Sequence, residues 1–418
     1  MKRRALKTGN KRRVVVVGMG IRSPIGNTLG EFVKSIKERR SGISVMPEWE
    51  GIKNLRTRVA GLCHIDGEEE SIQRQYRRSM GRVAMLAALS AIDAVKASGL
   101  SEEEIASQAC GVSYGSTEGS VRSQMDYIGN MIQNRSLEGI PPSWYLKCMS
   151  HTCAGNLSIL FHTRGPFIAS CPACVSGSQG IGFGYEAIKA GRADIMITGG
   201  AEEVEILSAA VFDLMMATSS NYNNRPSETP RPFDEKRDGL VVAEGAATLI
   251  LEEYERAKNR GAPILGEIEG FWTNGSGIHL TNSDARSMEE CLLAALKDAG
   301  RSPDEIQYVN AHATGTTHGD EVEATVINKI YGPGTPTASL KGYMGHTMGA
   351  CGAIEAIGTL LMMREGFIAS TLNLENPDPA LPPLNHVIGE SRDQRTRLAA
   401  SNNFAFGGVN TSLVLSLV

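Results

Sequence analysis

The run Phe167-Ile168-Ala169-Ser170-Cys171-Pro172-Ala173-Cys174-Val175-Ser176-Gly177 passes from a short β-rich stretch straight into small residues with helical spacing. Phe167 to Cys171 is strand-like, Val175 to Ala190 reads as a helix, and Gly191 ends it. A thiol at such a junction meets the positive end of the helix dipole and free backbone N–H groups. Both favour thiolate and lower a free pKa of about 8.5. The same N–H groups can hold an oxyanion on an attached acyl carbon. This is a nucleophile elbow with sulfur in place of oxygen, and Cys174 is its nucleophile.

Outward from this junction, strands and helices alternate. Val14 to Val17 is a buried strand that ends at Gly18-Met19-Gly20, and Arg82 to Ala97 is a helix closed by Gly99. Ser101-Glu102-Glu103-Glu104 supplies a capping box. Cys110 to Tyr114, Asp194 to Thr198, Leu240 to Leu251, Tyr308 to Asn310 and Leu413 to Leu417 are further strands, and Ser219 to Arg231 is an exposed polar loop. The alternation argues for parallel sheets covered on both faces. No internal repeat is visible between the halves.

Composition sets the limits. The chain has 418 residues, 41% hydrophobic and 21% charged, with 46 glycines and a formal charge of -4. These are globular values, and no apolar run approaches the ~18 residues of a membrane span. A soluble protein is expected. Lys2, Arg3, Arg4, Lys7, Lys11, Arg12 and Arg13 make residues 1–13 a basic, solvated, disordered tail on an acidic body, which is a poor nucleic-acid binder. Eight cysteines in this length are too sparse for a disulfide scaffold and point to a reducing, cytoplasmic setting.

Rival readings use the same residues. Gly18-x-Gly20 invites a dinucleotide site, but Ser23 stands where a third glycine belongs and Pro24 follows it. Cys171-Pro172-Ala173-Cys174 can mark a redox dithiol, or half a zinc site completed by Cys148, His151 and Cys153. Against zinc, Cys148 to Cys153 reads as part of a Met/Ala/Leu-rich helix. Against a redox dithiol, the chain is much larger than a thioredoxin unit. A single acylated nucleophile fits better, with no metal and no cofactor.

Two more constellations follow predicted strands. Asn310-Ala311-His312-Ala313-Thr314-Gly315-Thr316 places His312 at a strand end beside hydroxyls suited to a polar ligand arm. Lys341-Gly342-Tyr343-Met344-Gly345-His346 places His346 just before a helix. One reactive Cys and two His in glycine-rich turns form a candidate site.

With these residues in view, the chain resembles the β-ketoacyl-[acyl-carrier-protein] synthases of fatty-acid elongation, from about Val14 to Leu417. The resemblance is carried by Ala173-Cys174 and its helix, Gly199-Gly200-Ala201-Glu202-Glu203, and Arg231-Pro232-Phe233-Asp234 with Arg237-Asp238-Gly239. The His312 and Lys341/His346 segments and Ser401-Asn402-Asn403-Phe404-Ala405-Phe406-Gly407-Gly408-Val409-Asn410 complete it.

The resemblance implies an α/β thiolase-like fold of two pseudo-symmetric βαβαβ halves, residues 14–260 and 261–418, in a five-layered α-β-α-β-α core. It implies that Cys174 takes an acyl group from acyl carrier protein, with the N–H groups of Cys174 and Phe406 as oxyanion hole. His312 and His346 would stabilise the enolate from malonyl carrier protein, and Lys341 would organise the histidines. Glu323 and Glu355 are supporting carboxylates, Thr281, Thr314 and Thr316 pantetheine contacts, and Phe406 a gate. Arg74, Arg77, Arg78 and Arg82 form a carrier-docking patch, and Cys148 to Phe161 a homodimer interface. A heterodimer with a related subunit is the alternative assembly.

Departures from the family pattern are Ala405 before the gate, Cys171-Pro172, Ala313 and Gly315, and Glu118 near the acyl pocket. They leave room for the same chemistry in a polyketide or polyene pathway. A silent partner subunit would lack the reactive Cys, and a thiolase would carry a second catalytic Cys and a different His pattern.

Overall fold

The computed structural model describes residues 12–418. The tail expectation therefore lies largely outside the described residues, and its last two cations correct it. Arg12 pairs with Asp194, and Arg13 Nε donates to Glu267 Oε1 at 2.8 Å while its guanidinium covers the Tyr254 ring.

Val14 opens β1 (Val14–Arg22), which runs on through Gly18 and Gly20 instead of ending there. Any Cβ at these two glycines would overlap the carbonyls of Ala94 and Ser90. Their role is thus to let helix α1 (Arg82–Ser98) lie backbone to backbone on the strand, and no phosphate-binding turn forms. The first half continues with β2 (Cys110–Gly115), α2 (Thr152–Leu160), β3 (Phe167–Ser170), α3 (Ser176–Lys189), β4 (Ile195–Glu202) and β5 (Gly245–Glu253). The second half has β6 (Gly266–Gly275), α4 (Ala285–Ala299), β7 (Tyr308–Asn310), α5 (Thr317–Tyr331), β8 (Pro336–Ala338), α6 (Cys351–Glu365), β9 (Leu398–Ala405) and β10 (Val409–Ser416).

The strand order is β3-β2-β4-β5-β1 in the first half and β8-β7-β9-β10-β6 in the second. In each half the order is third, second, fourth, fifth, first. Pairings match as well: the third, second and fourth strands are mutually parallel, and the fifth runs antiparallel to both the fourth and the first. The sheets are therefore mixed, which corrects the all-parallel expectation. The halves repeat each other in topology although no repeat is visible in the sequence. They join where β1 pairs β6 antiparallel, Val14 opposite Ile268.

Helices α1 and α2 cover the outer face of the first sheet and α4 that of the second, with α5 packed on α4 and sharing an apolar cluster with β7 and β9. Between the sheets lie α3 and α6, which touch both, giving five layers of the thiolase-like fold. Every position of α6 from Cys351 to Met363 is buried, as expected of a helix apolar all round. The two central helices begin at one point. A Cβ on Gly177 would lie 2.8 Å from the carbonyl oxygen of Gly349, and one on Gly200 would overlap the same oxygen. Only bare glycine backbone fits there.

Candidate active site

The strand-to-helix junction forms as read, with one change in detail. After β3 the chain makes a 3-10 turn, Ala173–Val175, and the residue in the left-handed region is Ala173, at φ 53°. Cys174 follows it, buried, and lines a cavity of about 440 Å³. Burial pushes its thiol up to about 12, and Lys341 is the largest opposing influence. Against the thiolate expected from the helix end, burial thus favours the protonated thiol.

The opposite wall comes from the second half. His312 leaves the end of β7, and its N–H donates to Glu323 Oε1 at 2.8 Å while Ala313 N–H donates to Oε2 at 2.6 Å. Glu323 thus caps the turn that carries the imidazole, and burial pushes its carboxyl up to about 8. Asp320 does the same one step on, accepting from Thr314 and Gly315 N–H at 3.0 and 3.1 Å and from Phe233 at 2.8 Å. Through that last bond the Arg231–Asp234 segment braces the Thr314 loop.

His346 is fixed by its N–H to Val241 O at 2.7 Å. The two imidazoles meet edge to face, ring centres 5.1 Å apart. Burial, then the charge of Lys341, holds both well below the usual imidazole range, so both are neutral. Lys341 and Glu355 pair at 2.5 Å with neither side chain exposed. Burial works against the ammonium, but its acidic neighbours, Glu355 first, together hold Lys341 above its ordinary value.

Cys174, His312, His346, Thr281, Thr314, Thr316 and Phe406 all line the one cavity. A buried thiol and two neutral imidazoles on one cavity, with threonines also in its lining, suit acyl transfer to sulfur and stabilisation of a nascent enolate. Phe406 stacks on Phe212 at 5.5 Å, in the hairpin between β9 and β10.

The chain is similar to known proteins over nearly its whole length. The family model "Beta-ketoacyl synthase, N-terminal domain" matches residues 11–257, and "Beta-ketoacyl synthase, C-terminal domain" matches residues 265–375. The chain belongs to the β-ketoacyl synthase family. The 3-oxoacyl-[acyl-carrier-protein] synthase 1 of Haemophilus influenzae is 35% identical over 404 residues, covering 96% of this chain and 98% of that one. A β-ketoacyl synthase crystal structure from Burkholderia phymatum superposes with a TM-score of 0.94 at 43% identity, covering 97% of this chain and 100% of that one. A type II polyketide ketosynthase, in complex with its acyl-carrier protein and bound to a hexaketide, gives 0.88 at 28% identity, covering 98% and 100%. As a β-ketoacyl synthase, the chain is an acyltransferase-type enzyme.

Several expectations for this β-ketoacyl synthase need correction. Arg82 is not a free docking cation: its Nε donates to Glu244 Oε2 at 2.8 Å and neutralises that buried carboxylate. Arg74 and Arg78 are exposed, and Arg77 is half-buried on the short helix Arg74–Arg77. Glu118 is exposed and does not line the cavity. Cys148 to Cys153 is no continuous helix, since one helix ends at Cys148 and α2 starts at Thr152. The proposed zinc ligands do not gather. Cys171 is exposed and donates to Ser150 O at 3.3 Å, and all eight cysteines are free.

Some residues with structural duties at the site went unread. Glu202 Oε2 accepts from Thr117 N–H at 2.9 Å and Gly349 N–H at 3.1 Å, tying the starts of two loops to β4. Cys351 donates to the carbonyl of Cys174 at 3.2 Å. A signal existed for Glu202 in its acidic pair on a strand otherwise apolar, because a buried carboxylate needs donors.

Proposed function

We propose that this enzyme carries out decarboxylative Claisen condensation on acyl carrier protein substrates, with Cys174 as the acyl acceptor. The observation that carries this reading is one cavity walled by a buried thiol and two neutral imidazoles in edge-to-face contact. The Cys174 sulfur attacks the carrier's thioester, and its proton leaves with the pantetheine sulfur. The Cys174 and Phe406 N–H groups serve as oxyanion hole. Malonyl carrier protein then enters past Thr281, Thr314 and Thr316, with Phe406 as gate. Its C–C bond to the carboxylate breaks, releasing CO2 and leaving an enolate whose oxygen meets His312 and His346. The enolate carbon bonds to the acyl carbon, the C–S bond to Cys174 breaks, the departing sulfur takes a proton from solvent to restore the thiol, and the β-ketoacyl carrier is released. Loss of CO2 drives the step, so the reading calls for no metal or cofactor.

Lys341 supplies a fixed charge that adds to burial in keeping both rings unprotonated. Carrier docking falls to Arg74 and Arg78, with Arg77 beside them. The exposed edge strand β3, bearing Phe167, together with Ile159 on α2, supports a homodimer through this edge. No described helix is long and apolar enough to cross a membrane, and the free thiols fit a cytoplasmic setting.

The test combines the enzyme with acyl and malonyl carrier proteins and weighs the products. Mass spectrometry should find an acyl adduct on Cys174, β-ketoacyl carrier and one CO2 per turnover. An adduct elsewhere, or condensation by Cys174→Ala, overturns the assignment. Polyketide extension is the second reading, favoured by the likeness to a ketosynthase bound to a hexaketide. Repeated turnover leaving unreduced β-keto chains on one carrier would select it.

A further inference from the structure

Asn403 stands in a buried cluster to which the steps above give no role. It lies on β9 opposite Thr411 of β10 and is fully buried. Its Nδ2 is 2.6 Å from Glu355 Oε2, 3.4 Å from His312 Nδ1 and 3.7 Å from Cys351 Sγ. Those three partners are also a potential metal-ligand set among the described residues, their ligand atoms within 4.8 Å of one another. The amide nitrogen of Asn403 lies within reach of all three, with two hydrogens to share among them and its shortest contact to Glu355.

The direction of this amide is fixed by its surroundings. Nδ2 carries two hydrogens and only donates. Turning the group over would set Oδ1 against the Glu355 carboxylate, acceptor on acceptor. As placed, Oδ1 instead faces Gly352, where a Cβ would come within 2.6 Å of it. A donor therefore faces His312 Nδ1, which must accept, and the ring proton resides on Nε2. On the other side, Cys351 links Asn403 to the Cys174 carbonyl. The amide also adds to the hold of Lys341 on Glu355, from the opposite oxygen.

We propose that Asn403, together with Cys351, is a positioning residue that holds His312 as the neutral Nε2–H tautomer and so aims a donor into the cavity. The consequence for rate rests on the condensation reading; the tautomer does not. In enzyme carrying ¹⁵N-labelled histidine, native His312 should show a pyridine-type Nδ1 and a pyrrole-type Nε2–H between pH 6 and 8. In Asn403→Leu, which keeps the volume and removes the donor, the two tautomers should mix. Malonyl decarboxylation should then fall about tenfold in kcat with KM for malonyl carrier unchanged. Cys174 acylation should persist.

A protonated Nδ1 in the native enzyme overturns the proposal, and that measurement needs no variant to fold. So does a folded Asn403→Leu enzyme with the native tautomer and native kcat. If the native tautomer is as expected but no enzyme form makes β-ketoacyl product, the functional reading fails and the assignment of Asn403 to His312 stands.

Discussion

Helices α3 and α6 begin in the same way, each from a 3-10 turn led by a residue in the left-handed region: Ala173 at φ 53° and Met348 at φ 42°. In the first half only Cys171 and Pro172 separate β3 from the turn, and the residue after the strained position is Cys174. In the second half Ser339 to Thr347 intervene between β8 and the turn, and the matching residue is Gly349. The longer connection carries Lys341 and His346. One elbow thus holds the sulfur at its bend, and the other gives up its bend to glycine and places the chemistry in the added loop. Equivalent backbones can divide a reaction when one keeps the turn short and the other lengthens it.

The largest effect that could break this comparison is at the first bend. Cys174→Ala should lower condensation by at least about 10⁴-fold, since no other nucleophile replaces it. Cys171→Ala, at the exposed residue immediately after the strand, should keep most activity. Equal loss in both, by product mass, would move the nucleophile off the elbow.

The added loop comes next. Lys341→Met leaves Glu355 buried without its partner and should cost about 3–5 kcal/mol in denaturant unfolding. A change under about 1 kcal/mol would mean that the pair does not brace the loop. His346→Ala should reduce malonyl decarboxylation by about 10²-fold while Cys174 still acylates. Loss of acylation as well would merge the two elbows into one function.

Smaller effects sharpen the contrast. Because burial places the Cys174 thiol at about 12, its thiolate fraction rises about tenfold per pH unit below that value. Alkylation of Cys174, followed by peptide mass, should climb from pH 7 to 9 without levelling. A plateau near 7 would show that the helix end prevails over burial after all. Last, charge reversal at Arg74 and Arg78 should raise the carrier-protein KM several-fold at low salt and little at high salt. A KM indifferent to the change would remove docking from the first half.

What could be read from the sequence follows from how local each signal is. The α1 and α3 helices, the β7 strand and the bend at Cys174 declare themselves in runs of adjacent residues. The His312 and His346 turns were legible because glycine and histidine together are rare in bland loops. The mixed sheet was not, since antiparallel neighbours such as β10 and β6 are set by partners more than a hundred residues apart. The repeated topology was expected from the family resemblance alone and from no visible repeat, because it resides in strand order and not in side chains. Arg82 read as a docking cation because its partner, Glu244, is distant in the chain. The thiol of Cys174 was misjudged because the sequence reveals the helix end but not the dryness of the cavity.

The bare contact of Gly177, Gly200 and Gly349 works as a gauge block between the two halves. It sets the spacing of sulfur and imidazole by the thickness of peptide backbone alone, with nothing adjustable in between. Substrate range in such an enzyme can drift through the distant walls of its chamber, while the gap across which the new carbon–carbon bond forms stays machined to one width.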